Sequence, residues 1–199
     1  ARAQQLLQSY LTDADFLDLL RVCELAVVQG GLTRDDVRGL STSLAAEYPA
    51  GLWPMNRELV RLLAALDEPG ALDRMLAELR GETPQTEKLH LAFHLRFLDG
   101  GWKSAERLAV LQFYEDARGL EGGHSLQGYL ENVARDFFAT FDEGERRQVL
   151  TEGERWPGAA LSVLARLPAQ PGTEVLGELQ ALDQRLSGAT DPRAELLRT

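Results

Sequence analysis

Isoleucine is absent from this chain of 199 residues, lysine occurs only at Lys88 and Lys103, and the single cysteine is Cys23. One cysteine excludes an internal disulfide framework, and it equally excludes two-cysteine haem-attachment and zinc motifs. Its setting, Leu20-Arg21-Val22-Cys23-Glu24-Leu25, reads as helix interior. With no helix start or flanking histidine to lower its pKa, Cys23 is expected to be a buried structural thiol. No apolar run approaches the roughly 20 residues that span a bilayer, so direct membrane insertion is not expected. Basic clusters are missing too, the largest being Arg146-Arg147 in a chain of net charge −10. That charge is spread at about −5 per half, which makes nucleic acid a poor partner, because displacing counterions from phosphates takes a basic face. A phosphate-binding glycine loop, a nucleophile elbow and a spaced Ser/His/Asp set are all lacking, so no catalytic residue and no cofactor is assigned. The chain opens at Ala1 with neither Met nor a signal-like apolar core. It reads as an excised or processed segment whose address was written elsewhere.

What is present is helix-forming. Leucine makes up about a fifth of the residues while strand formers are scarce, so an all-α fold is expected. Apolar residues recur at helical spacing between breaks of Gly, Pro, Asp and Thr, giving about ten helices after a short leading one. Thr12 with Asp15 is a capping-box spacing ahead of the buried stripe Phe16, Leu19, Leu20 and Cys23. Asp13, Asp15 and Asp18 complement the positive end of that helix. Thr33 with Asp36 repeats the signal. The run 49–54 is expected to be an extended link, with Asn56 beginning the next helix. Leu72, Met75, Leu76 and Leu79 mark a buried stripe; Thr83 caps a helix with Pro84 at its first position; Ser104 caps another running to about Arg118. Further helices are expected over 126–140, 143–152, 157–167, 173–186 and 192–198.

Helix starts about 13 to 22 residues apart make two-helix units of roughly 30 to 43 residues. The expected architecture is a single 1–199 domain, a HEAT-like α-solenoid of about five degenerate antiparallel helix pairs. Trp53-Pro54, within 49–55, is the candidate kink.

Two groupings carry possible chemistry. His90 and His94 stand one helical turn apart with Glu87 on the same stripe, so two imidazoles and a carboxylate can meet a divalent metal if His124 closes from a neighbouring helix start. The alternative, which we favour, assigns no metal and takes the histidines as packed and bonded to carbonyls. In the turn Gly122-Gly123-His124-Ser125, one or both glycines are expected at positive φ, Ser125 as the next helix's cap, and His124 packed back beside His90, Arg96 and Trp102. Trp53, Trp102 and Trp156 each flank a turn and are expected to pack over corners rather than to anchor a partner.

Several ordered motifs carry a family likeness. They are Leu20-Arg21-Val22 with Glu24-Leu25-Ala26, Tyr48-Pro49-Ala50, Met55 to Leu63, His90-Leu91-Ala92 with Leu95-Arg96 and Gly101-Trp102, and Gly122 to Ser125 with Gly128, Leu130, Asn132 and Asp136. Over about residues 16–167 the pattern resembles the HEAT-like helical region of large exported planctomycete-type proteins. In those, a sorbosone-dehydrogenase-like propeller precedes that region and a c-type haem domain often follows. The resemblance implies a non-catalytic scaffold or interaction module whose partners are proteins or flanking domains of the same chain, in an exported or periplasmic setting. It also implies a shared polar cluster of His90, Arg96, Trp102, His124, Ser125 and Asn132. Cys23 and His94 stand where that pattern leads one to expect an aromatic or aliphatic residue. The alternative function is a metal-binding or redox-partner segment of a membrane-associated dehydrogenase. The oligomeric state is left open.

Overall fold

The computed structural model describes residues 2–30, 34–165, 167, 170 and 172–188. Among them are eleven α-helices and no strand: α1 (Arg2–Leu7), α2 (Asp13–Gln29), α3 (Arg34–Glu47), α4 (Trp53–Ala65), α5 (Leu72–Arg80), α6 (Gln85–Leu95), α7 (Ser104–Ala117), α8 (Leu126–Ala139), α9 (Glu143–Thr151), α10 (Pro157–Leu164) and α11 (Thr173–Leu186). A short 3-10 turn, Pro69–Ala71, precedes α5. The expected helix over 192–198 and the Thr33 cap lie outside the described residues.

The chain forms two compact units, residues 1–102 and 103–199. The expected kink near 49–55 lies within the first unit. That corner is held inside the first unit, where the backbone N–H of Ala50 donates to Oδ1 of the buried Asn56 at 2.6 Å. In the first unit α1 packs on α2, α3 on α4 and α5 on α6, and alternate helices also meet, α2 with α4, α4 with α6 and α1 with α3. In the second unit α7 packs on α8 and α9 on α10, with α9 also meeting α11 and α8 meeting α10.

Local signals explain several boundaries. Thr12 caps α2, its Oγ1 accepting the Asp15 N–H at 3.2 Å, and Asp142 with Glu145 closes a reciprocal capping box on α9 at 2.8 and 3.0 Å. Other starts differ from the sequence reading. Helix α4 begins at Trp53, three residues before Asn56, because Pro54 falls in the first turn, where no intrahelical N–H bond is needed. Pro84 itself takes the N-cap position of α6, and Lys103, not Ser104, takes that of α7, where Glu106 reaches back to the Lys103 N–H at 2.9 Å.

The cores follow the periodic stripes. Leu20, Leu44, Leu59, Leu63, Met75, Leu76, Ala92 and Leu95 are sealed in the first unit, and Val110, Tyr114, Val133, Phe137, Val149 and Trp156 in the second. Cys23 is buried, and burial pushes its thiol pKa up, as expected of a structural thiol. The three tryptophans take three different roles: Trp156 is core, Trp102 donates Nε1–H to the Leu98 carbonyl at 2.8 Å, and Trp53 is 38% exposed.

Candidate functional site

Helix α4 turns Leu59, Val60, Leu62 and Leu63 inward, and its 3.6-residue period therefore leaves Arg57, Glu58 and Arg61 facing out between α2 and α6. Each of these reaches a neighbour. The Arg57 guanidinium meets the Glu87 carboxylate of α6 with two nitrogens, Nε to Oε2 at 2.9 Å and Nη2 to Oε1. The Glu58 carboxylate receives Arg61 Nη1 at 2.5 Å from its own helix, and Arg21 Nε of α2 stands 3.9 Å away. Glu24 of α2 lies beside Glu58, so two carboxyl groups face one another here.

The histidines complete the strip. His90 Nε2–H donates to the Arg57 carbonyl at 3.2 Å and His94 Nδ1–H to the His90 carbonyl at 2.7 Å, their ring centroids 4.4 Å apart. A carbonyl only accepts, and this fixes which nitrogen carries the proton in each ring. Burial, then the charge of His94, drives the His90 pKa down to about 4, and burial lowers that of His94 as well. Hydrogen bonding from Arg57 holds Glu87 below the usual carboxylate range. Burial, then the bond and charge of Glu58, raises Glu24 to about 7, with Arg61 and Arg21 opposing.

Glu87, His90 and His94 thus do share one helix face, as their spacing predicts, but Glu87 is taken by Arg57 and one nitrogen of each ring is directed at a backbone carbonyl. Among the described residues no group of three His, Cys, Asp or Glu is placed to hold a metal ion. The recess that Arg57, Glu87 and His90 share with Tyr48, Trp53 and Asn56 measures about 10 Å³. That is room for one water-sized body, far short of the roughly 300–1,000 Å³ of a small-molecule site. The strip is suited to holding a surface in one electrostatic arrangement.

The remaining residues of the expected polar cluster divide between the units. His90, Arg96 and Trp102 belong to the first unit; His124, Ser125 and Asn132 belong to the second, and all three are exposed. Ser125 makes no side-chain cap bond to α8. Neither Gly122 nor Gly123 has positive φ; among the described glycines that conformation belongs to Gly101, at φ 85°. The turn before α8 needs no left-handed residue because a 2.8 Å bond from the Leu126 N–H to the Gly123 carbonyl closes it. Arg21, Glu24, Arg57, Glu58 and Arg61 carried no role in the sequence reading. The available signal was the separation of about 30 residues between Arg57 and Glu87, one repeat length.

Compared with known proteins, the chain matches no family model, no curated protein and no solved structure.

Proposed function

We propose that this chain is a non-catalytic helical-repeat module, a HEAT-like α-solenoid that binds protein partners. One observation carries the reading: within each unit, polar contacts recur at one repeat length. In the first unit Ser41 reaches Glu68, Arg57 reaches Glu87, and Asp67 accepts from the Asp99 N–H, at separations of 27, 30 and 32 residues. In the second, Arg107 reaches Thr140, Arg147 reaches Glu178 and Arg185 reaches Glu154, at 33, 31 and 31 residues. Such a period is what stacked helix pairs produce, each unit touching the next in equivalent places. The pairing of α1 with α2, α3 with α4 and α5 with α6, together with the rows α2–α4–α6 and α1–α3, supports the same reading. Stacked pairs present a long, rigid helical face, and recognition of a polypeptide is the common use of one.

The likeness to exported planctomycete-type proteins extends the proposal: the partners include flanking domains of the same polypeptide. Cross-linking in source cells followed by peptide mapping tests both. Recurrent cross-links from the α2–α4–α6 row to one polypeptide, or to a propeller or haem domain of the same reading frame, support the module. Cross-links scattered evenly, no denser than on an unrelated acidic protein, overturn it.

A further inference from the structure

Three ion pairs on the outer side of the α2–α4–α6 row share one asymmetry. In Arg21–Glu58, Arg57–Glu87 and Arg61–Glu58 the arginine side chains are 56, 45 and 46% exposed, while the carboxylates are 13, 9 and 13% exposed. The carboxylates lie beneath and the guanidinium groups lie above. Arg57 and Arg61 thereby turn their guanidinium groups outward over buried carboxylates, and Arg21 stands beside them, its Nη1 also 3.4 Å from the exposed Asp18 carboxylate of its own helix. Each guanidinium has five N–H donors; Glu87 engages two of those of Arg57, Glu58 one of those of Arg61, and Asp18 one of those of Arg21. Beside the strip, α2 exposes Val22, Leu25 and Val28, at 60, 58 and 82%. Leu25 stands one helical turn beyond Arg21 and Val28 nearly two, so these aliphatic groups border the arginines on the same helix.

We propose that this face of α2 and α4 docks an acidic segment of a partner protein, one that carries aliphatic side chains between its carboxylates. The proposal rests on the interaction-module reading and adds the partner's chemistry. Carboxylates of the segment take the outward N–H groups of Arg21, Arg57 and Arg61, and its aliphatic side chains cover Val22, Leu25 and Val28. Burying the apolar groups supplies affinity, and the guanidinium contacts supply register and attraction at a distance. A peptide whose acids are replaced by lysines meets the strip with like charge and is rejected.

The test is fluorescence anisotropy of the full chain against labelled 15-residue peptides in which Asp or Glu alternates with Leu or Val, with Lys-for-acid and Ser-for-Leu versions as controls. The acidic aliphatic peptides are expected to bind, and to weaken about tenfold as salt rises from low to moderate ionic strength. The controls are expected not to bind. Arg21→Ala with Arg61→Ala, and separately Leu25→Ser with Val28→Ser, should each weaken binding about tenfold. Both pairs lie at exposed positions, and far-ultraviolet circular dichroism should match the parent. Equal binding of the lysine peptides, or unchanged affinity in both variants, overturns the acidic partner while leaving a polypeptide-binding module standing. Binding to duplex DNA or anionic vesicles but to no peptide overturns the partner class. A self-association seen by sedimentation and abolished by Leu25→Ser assigns the face to a second copy and overturns the proposal. If no peptide binds and cross-linking also finds no polypeptide, the interaction reading falls with it.

Discussion

The Arg57 guanidinium lies against the Glu87 carboxylate in a two-point contact that joins α4 to α6 across 30 residues of sequence. Beneath it His90 donates to the carbonyl of the same Arg57, so one residue of α4 holds two successive sites on α6. The geometry is charge-assisted and directional, which fixes how the two helices slide on one another.

Replacing Glu87 with Gln keeps the shape and removes the charge. The folded pKa of Glu87 lies below its ordinary 4.5, so its contribution to stability is present above pH 4.5 and is lost as pH falls through the folded value. At pH 7 the melting temperature of Glu87→Gln should be lower by about 3 to 6 °C. The gap should narrow as pH falls below 4.5, and a gap that stays constant through acid pH would show that the charge is irrelevant.

His90 and His94 titrate the other way from a salt-bridged histidine. Their folded pKa values are depressed, His90 to about 4, whereas an unfolded histidine sits near 6.5. Between those values the unfolded chain takes up protons that the folded chain refuses, so stability drains away as pH falls from 6.5 toward 4. Chemical denaturation of His90→Gln with His94→Gln should lose less stability across that window than the parent does. Glu24 pulls in the opposite sense. Its raised value of about 7 means that stability declines as pH climbs from 4.5 through 7, and Glu24→Gln should flatten that decline. Denaturation midpoints taken at half-unit intervals separate the two contributions; parallel curves for parent and variants would falsify both assignments.

Two glycine turns make opposite demands. At Gly101, φ is 85° and an added Cβ would stand 2.8 Å from Cβ of Pro69, so Gly101→Ala should cost about 1 to 3 kcal/mol. At Gly123 nothing lies within 4 Å of the added carbon, and His124 beside it is exposed. Gly123→Ala and His124→Ala should therefore each fall within about 0.5 kcal/mol of the parent. Urea titrations of the three variants rank them, and a destabilised His124→Ala would mean that its imidazole is held by something.

The sequence by itself determined the all-helical character, the positions of most helices and the stripes each one buries. Those properties are local: a 3.6-residue period, a Thr12–Asp15 or Asp142–Glu145 cap and a proline in a first turn act within a few residues. It also marked His90, His94 and Glu87 as sharing one face, since two turns of one helix decide that. Tertiary structure alone decided what that face does. Arg57 reaching Glu87, Glu58 gathering Arg21 and Arg61, and the buried carboxylates beneath exposed guanidinium groups all depend on the register in which α2, α4 and α6 stack. That register is set by how Leu20, Leu59, Leu63 and Leu95 fill the space between helices, a sum over many weak contacts that no short stretch of chain encodes. The same reason moved the left-handed glycine from the Gly122-Gly123 pair to Gly101, because only the close approach of Pro69 requires it there.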